Sequence, residues 1–345
     1  MNRMKFGEMS KKKRDLYECM WGSNNFDFPV EKTKIKDGVS NNSYTFTSVS
    51  AVNQDICGNR LAELFQIQNK ALFLEKFSQS CNGSGQEAKK IATIHSSSLC
   101  ALLFFYNVTK DNPYIMNIGG EEYEFTDSRF EYQNTVIEGR NPSNMDVVLV
   151  GKHMGSSIPI VFFLESKFSE YYERVGKQLK IAREYLNNNY GESLYRGNFI
   201  EKMGFHIVEE DGNSDFCLIC DNACYVEGIK QMISHCIGVR NLCDNPDVKS
   251  DDVAKAISAG AKVLLGEILF TKGIGMLPVT NGEKCFSSYQ KKYAILAEAL
   301  NEQLRNDGIQ DKINVLPELL SYSQFQDKDF VRETKVKRFY FELGK

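Results

Sequence analysis

Residues 146–167 read Asp-Val-Val-Leu-Val-Gly-Lys-His-Met-Gly-Ser-Ser-Ile-Pro-Ile-Val-Phe-Phe-Leu-Glu-Ser-Lys. Two apolar runs flank a short polar turn, a pattern typical of a β-hairpin. The strands of a hairpin are antiparallel, so the start of the first lies beside the end of the second. A hairpin centred near Gly155 therefore places Asp146 roughly opposite Glu165. Because side chains alternate along a strand, Glu165 and Lys167 share one face.

Two carboxylates and a lysine are thus expected to meet at one point. Carboxylates a few ångströms apart resist ionising together unless a cation lies between them. Such hard oxygen ligands suit Mg²⁺, which keeps several waters and bridges to substrate phosphates. A neighbouring lysine can orient or deprotonate a water, or stabilise charge that builds on the phosphate. These are the groups that metal-assisted phosphodiester hydrolysis requires.

The pattern of Asp146 followed by Glu165-Ser166-Lys167 resembles the PD-(D/E)xK signature of restriction-endonuclease-like enzymes. The proline of that signature is not directly before Asp146, because Pro142 lies four residues upstream. The resemblance spans roughly residues 90–240, under half of the chain. Four other segments resemble the corresponding segments of a bacterial group of predicted restriction endonucleases. These segments are His95 to Ser98, the aromatic run ending at Phe104-Phe105, Phe130 to Tyr132, and Tyr225 to Gln231.

The resemblance implies a Mg²⁺-dependent endonuclease, in which Mn²⁺ can substitute. Asp146 and Glu165 would hold the metal, with a contribution from the carbonyl of Ser166, and Lys167 would assist the attacking water. Hydrolysis would leave a 5′-phosphate. The expected substrate is double-stranded DNA in a restriction or defence role, with RNA as an open alternative. Many relatives act as dimers, so a homodimer is expected. The alternatives are an inactive nuclease fold that binds nucleic acid or a protein partner, and an α/β protein in which these residues are structural.

Two further positions are candidates for supporting roles. Nucleases with this signature often use an additional upstream acid as a metal ligand, for which Glu131 is the first choice and Glu138 the alternative. Related enzymes often carry a glutamine on a helix near the lysine, where it contacts the scissile phosphate or positions the lysine. Gln231 is the preferred candidate, because it shares a predicted helix face with His235 four residues later. Gln178 is the competitor.

Composition permits a nucleic-acid enzyme without demanding one. The 345 residues are 42% apolar and 25% charged, with a net charge of −3, which is ordinary for a globular protein and neither supports nor excludes DNA binding. No apolar run reaches the length of a membrane span and no secretory signal opens the chain, so we expect a cytoplasmic protein without a membrane partner. The ten cysteines are expected to be free thiols, although Cys217-x-x-Cys220 is also compatible with half of a zinc site.

The order of elements predicts an α/β (α+β) fold, with a central mixed sheet flanked by helices. The resemblance implies the same restriction-endonuclease-like core. Residues 1–85 are expected to form an N-terminal helical extension packed on a nuclease-like domain of residues 86–345. Helical spacing predicts a helix from Ser169 through Leu186 and another from Cys224 to about Gly238, and apolar residues predict a late strand from Lys337 to Leu343.

Overall fold

The computed structural model describes residues 11–22, 28–37, 39–46, 54–81, 90–185, 198–209, 215–271, 281–325 and 333–343. The α-helices in these ranges are α1 (Lys11–Trp21), α2 (Gln54–Leu64), α3 (Lys70–Ser80), α4 (Ser97–Phe105), α5 (Glu170–Glu173), α6 (Asn198–Lys202), α7 (Val226–Asp244), α8 (Asp252–Ser258), α9 (Asn281–Asn306) and α10 (Thr334–Lys337). Short 3₁₀ turns cover Arg183–Tyr185, Pro246–Val248 and Tyr322–Phe325, and a π-helical turn covers Arg338–Glu342. No helix in the described ranges is long and apolar enough to cross a membrane.

The strands are β1 (Val30–Asp37), β2 (Val39–Phe46), β3 (Tyr114–Ile118), β4 (Glu121–Asn134), β5 (Ser143–His153), β6 (Pro159–Lys167), β7 (Gly176–Ala182), β8 (Phe205–Glu209), β9 (Asp215–Cys224), β10 (Lys262–Leu269), β11 (Ile313–Val315) and β12 (Leu320–Ser321). The seven-stranded central sheet has the order β11-β10-β6-β5-β4-β3, with β12 also paired to β10. Strands β3 to β6 are antiparallel neighbours, whereas β6, β10 and β11 are parallel. The predicted central mixed sheet flanked by helices is therefore confirmed.

The predicted hairpin of residues 146–167 is confirmed as β5 and β6, and it forms the middle of the sheet. Its register pairs Val147 with Leu164. Every residue of β6 after Pro159 is buried, which is why this strand is a continuous apolar run up to Glu165. Helix α4, whose residues from Leu99 to Phe105 are all buried, packs on β5 and β6. The hairpin is thus covered on one face by a helix of buried apolar side chains.

Two predicted elements are wrong. The helix predicted from Ser169 through Leu186 is only the short α5, after which the chain forms β7. Backbone pairing of β7 with β9, in a separate sheet of order β7-β9-β8, prevails over the helical spacing of the apolar residues. The strand predicted from Lys337 to Leu343 is helical instead. A helical turn lets the consecutive residues Phe339, Tyr340 and Phe341 all reach the aromatic core, where each is buried.

The N-terminal extension is helical only in part, because β1 and β2 form a hairpin within it. This segment joins the main core through Trp21 at the end of α1. The Trp21 indole N–H donates to the carbonyl of Phe339 at 3.1 Å, and its ring stacks on Phe168 with a centroid separation of 5.8 Å. Phe168 directly follows Lys167, so the N-terminal segment packs beside the end of β6. The division of the chain at residue 85 stays a prediction.

Candidate active site

Four carboxylates lie in one row across four neighbouring strands. On β4 and β5 the pairs Phe130–Val147 and Tyr132–Met145 set a register that aligns Glu131 with Asp146. On β5 and β6 the register aligns Asp146 with Glu165. On β6 and β10 the row continues, because Glu165 pairs directly with Glu267. These row members are Glu131, Asp146, Glu165 and Glu267, and like charges placed so closely require a cation or a proton among them.

A cavity of about 450 Å³ opens over this row. Three of the four acids, Glu131, Asp146 and Glu165, line it together with Lys167. Glu165 and Lys167 are only 5% and 4% exposed, so the polar end of β6 forms a deep part of the site. The other lining residues are Lys90, Thr93, His95, Ser96, Ser97, Ser98, Val136, Pro142, Ser143, Asn144, Glu170, Arg174, Tyr185, Tyr225, Glu227, Lys230, Gln231, Ser234 and His235.

Glu165 is held between two side chains. Its Oε1 contacts the ammonium of Lys167 in a short ion pair, and its Oε2 lies 3.1 Å from Nε2 of His235. On the far side of the imidazole, Nδ1 of His235 contacts the hydroxyl of Ser143. Burial alone raises the pKa of Glu165, but Lys167 and His235 outweigh it and lower that pKa to about 2. Glu165 is therefore a carboxylate at neutral pH.

Lys167 remains an ammonium despite its burial. Desolvation lowers its pKa, but the charge of Glu165, followed by the influence of Asp146, outweighs that effect, and its pKa lies well above the ordinary value. A lysine in this state donates hydrogen bonds and offers positive charge, but it does not accept a proton from water. Of the roles considered for this residue, the raised pKa therefore favours orienting a water or stabilising phosphate charge over deprotonating the water.

Asp146 bridges the two strands of the hairpin. Its Oδ2 accepts a hydrogen bond from the backbone N–H of Ser166 at 2.7 Å. Burial, followed by the charges of Glu165 and Glu131, raises the pKa of Asp146 well above its ordinary value, against the opposing effect of Lys167. The carboxylate is thus costly to ionise in the absence of a cation, which is the electrostatic condition that favours binding one.

Glu131 is held in the left-handed region of the backbone map, with φ of 48°. Such a conformation costs a non-glycine residue free energy and persists only where the surroundings impose it. Its Oε1 accepts a hydrogen bond from the hydroxyl of Ser98 at 3.5 Å, at the start of α4. The strained backbone therefore turns an acid on β4 towards the cavity, where the sequence predicts an additional upstream acid.

The N-terminus of α4 also faces the cavity through its first residues. The Ser96 hydroxyl accepts a hydrogen bond from the backbone N–H of Leu99 at 3.0 Å and so caps the helix. The hydroxyl of Ser166 is bonded away from the cavity, to the carbonyl of Ser97 and the hydroxyl of Tyr322. Ser166 can consequently serve the site only through its backbone.

The structure distinguishes the two preferred supporting residues, Gln231 and Glu131, from their competitors. The helix predicted from Cys224 to about Gly238 is confirmed as α7, which begins at Val226 and ends later, at Asp244. Gln231 and His235 both lie on it and line the cavity. Gln231 accepts a hydrogen bond from the hydroxyl of Tyr225 at 3.5 Å. Gln178 is exposed on β7, and Glu138 is exposed in the loop before β5, and neither lines the cavity. The geometry therefore favours Gln231 and Glu131 over their competitors.

Glu267 and Tyr289 were not anticipated from the sequence. Glu267 is 1% exposed on β10, and its Oε2 accepts a hydrogen bond from Tyr289 on α9 at 2.9 Å, whereas its Oε1 has no hydrogen-bond partner. Burial raises its pKa to about 8, against the opposing effects of Lys167 and Tyr289. The available signal was a single acid within the apolar run of residues 262–270.

The donor set fits a hard cation that keeps most of its own waters. Asp146 and Glu165 supply carboxylate oxygens, and Oε2 of Glu165 also lies 3.1 Å from Nε2 of His235. Across the described ranges, no group of three or more His, Cys, Asp or Glu side chains is arranged to hold a metal. A metal here would depend on two carboxylates, the Ser166 carbonyl, waters and a substrate phosphate, which is the all-oxygen ligand set that Mg²⁺ prefers.

The cysteines lie outside the cavity, and each of the ten is a free thiol.

No family model matches the chain, and no curated protein or solved structure matches it either.

Proposed function

We propose that the protein is a metal-dependent endonuclease of the restriction-endonuclease-like class, which hydrolyses phosphodiester bonds of DNA. The observation that carries this proposal is the placement of Asp146, Glu165 and Lys167 together in one cavity, from two paired strands. The three residues are those of the PD-(D/E)xK pattern, and their mutual register follows from the hairpin itself. The restriction or defence role and the homodimer remain part of the same proposal.

Each residue of the site has a distinct task in this proposal. Asp146 and Glu165, with the carbonyl of Ser166, would hold Mg²⁺ or Mn²⁺, and Glu131 would bind a metal-bound water or a second ion. The bound metal supplies charge stabilisation and an acidified water. Lys167, as an ammonium, donates to the attacking water or to a phosphate oxygen. Gln231 lies on the α7 wall, where its amide can hydrogen-bond the scissile phosphate.

The experiment is cleavage of supercoiled plasmid, linear duplex and single-stranded RNA with Mg²⁺ or Mn²⁺. Lys167→Ala is expected to lower the cleavage rate by about 100-fold or more, because a preorganised donor at the reacting phosphate is lost. Lys152→Ala is the matched control, since Lys152 lies on the same hairpin but is half exposed and outside the cavity. Absence of cutting on all substrates, with a melting temperature that metal does not change, would contradict the proposal and favour an inactive fold.

One contact favours a second candidate function. Ser143, His235 and Glu165 form a hydroxyl–imidazole–carboxylate chain of the kind that activates a serine nucleophile for acyl transfer. Ser143→Ala separates the two functions. A serine hydrolase would lose its activity with this change and would need no metal, whereas the proposed nuclease would keep most of its activity.

A further inference from the structure

We propose, on the basis of the nuclease function proposed above, that the strand to be cut enters the cavity unpaired. The substrate class would then be single-stranded or locally unpaired nucleic acid, rather than the intact duplex that the family resemblance implies. Two independent observations lead to this inference, namely the depth of the reacting groups and the composition of the cavity rim.

The reacting groups are too deep for an intact duplex. Glu165 and Lys167 are 5% and 4% exposed, and the walls above them come from α4, α7 and the turn that ends at Tyr185. A volume of about 450 Å³ falls within the roughly 300–1,000 Å³ of pockets that enclose a single small ligand. A nucleotide fits such a space. Enzymes that react with a base inside such a pocket act on single strands or first extrude the nucleotide. We infer the same condition for a phosphate that must descend to Glu165 and Lys167, because the cavity walls leave room for one nucleotide rather than for two paired strands.

The rim carries the groups that bind an unpaired strand. Tyr185 is only partly buried, and the ammonium of Lys230 lies 4.8 Å from its ring centroid. The ammonium lies over one face of the ring, so a base would stack on the opposite face while the lysine offers its charge to a phosphate, which is how sequence-tolerant single-strand sites are built. Arg174 adds a second cation at the rim, where it pairs with Glu227 at 3.1 Å and is half exposed.

Paired bases have no free face to offer Tyr185, because stacking within the duplex already covers them. The inference therefore assigns Tyr185 to base stacking and Lys230 to a phosphate neighbouring the scissile one. A duplex would be cut only where it opens, at a frayed end, a mismatch or a bubble.

The first experiment compares cleavage of one sequence presented as a single strand, a blunt duplex and a duplex with a central unpaired bubble, each with Mg²⁺ or Mn²⁺. Cleavage of an RNA strand of the same sequence, compared with the DNA single strand, shows whether the protein prefers ribose or deoxyribose. The single strand should be cut about tenfold faster than the duplex or more, and the bubble should be cut within its unpaired region. Equal or faster cutting of the blunt duplex would overturn the inference and leave the proposed function intact.

A pair of variants tests the stacking surface. Tyr185→Ala should slow single-strand cleavage about tenfold, the usual order of the loss when a stacked aromatic is removed. Tyr185→Phe keeps the ring and should cleave at the wild-type rate, which controls for folding. Single-strand cleavage that is equal in both variants and the wild type would overturn the inference.

Binding to the Asp146→Asn variant separates the two proposals. Fluorescence anisotropy with labelled single strand and labelled duplex measures strand preference without cleavage. If the variant prefers the single strand but the wild type shows no metal-dependent cutting, the nuclease function is overturned and the inferred strand preference is kept. Preference for the duplex would overturn the inference alone, and absence of binding together with absence of cutting would overturn both.

Discussion

Glu267 lies directly beside Glu165 on the neighbouring parallel strand, and both side chains are almost completely buried. Their surroundings drive the two pKa values apart. Lys167 and His235 lower the pKa of Glu165 to about 2 in spite of its burial, whereas burial raises the pKa of Glu267 to about 8. At neutral pH the pair therefore holds one negative charge and, largely, one proton.

The protonated Glu267 makes stability depend on pH. Its pKa in the folded protein is about 8, above the ordinary value of 4.5. The stabilising contribution of this group is thus complete below about pH 4.5, and it is lost as the pH rises towards 8. Glu267→Gln keeps an acceptor for Tyr289 and removes the titration. The free energy of unfolding is measured by urea denaturation in the presence of a chelator. Between pH 5 and pH 8 it should fall in the wild type by several kcal/mol more than in this variant.

Glu302→Gln, at an exposed position on α9, is the matched control for Glu267→Gln and should leave the pH dependence unchanged. If Glu267→Gln shows the slope of the wild type, the buried proton is not on Glu267.

Asp146→Asn should stabilise the metal-free protein while abolishing its response to metal. Burial and the neighbouring acids raise the pKa of Asp146, so its ionisation at pH 7 costs folding free energy that Asn does not incur. The amide oxygen of Asn can still accept the hydrogen bond from Ser166. Thermal melting should show a gain on the order of 1 kcal/mol without metal. Added Mg²⁺ should raise the melting temperature of the wild type only, and an equal rise in the variant would rule out Asp146 as a ligand.

Lys167→Ala should destabilise the protein as well as inactivate it. Removal of the ammonium leaves the buried Glu165 carboxylate with His235 as its remaining close partner, and the loss of one member of a buried ion pair costs about 3–5 kcal/mol. Urea unfolding measures this change. Lys152→Ala, which breaks an exposed pair with Glu124, should cost less than about 1 kcal/mol. Similar losses in the two variants would show that Lys167 does not compensate a buried charge.

His235→Ala should weaken metal binding more than it slows cleavage at saturating metal. His235 touches Glu165 but is not itself placed as a ligand, so it acts as a positioning residue. Removal of such an outer partner typically costs 10–100-fold in metal affinity. The measurement is the Mg²⁺ concentration that gives half-maximal cleavage. His206→Ala, at a half-exposed histidine on β8, provides the comparison and should leave that concentration unchanged. A loss of maximal rate alone would assign His235 to the chemical step.

The centre of the site could be predicted because it is local in the sequence. The continuous apolar run of β6 and the polar turn before it define a hairpin, and the hairpin register alone aligns Asp146 with Glu165. Alternation along one strand then brings Lys167 to Glu165. The positions of these three residues depend on no long-range contact. The two-residue alternation of side chains along a strand and the polar turn were therefore sufficient to predict them.

The rest of the site depends on pairings that sequence periodicity does not encode. Glu267 reaches the acidic row only because β10 pairs with β6 across about a hundred residues of chain. Tyr185 reaches the rim because β7 pairs with β9 instead of continuing α5 as a helix. The aromatic run at Phe339 forms a helical turn because it packs against rings that are distant in the sequence, such as Trp21.

The contact of Trp21 with Phe168 has a practical consequence for attempts to find the smallest active fragment. A chain trimmed to residues 86–345 would lose the indole that stacks on Phe168, the residue that directly follows Lys167 at the end of β6. Deletion of the first segment would therefore change the packing at the end of β6, next to the candidate site, in addition to removing the N-terminal residues.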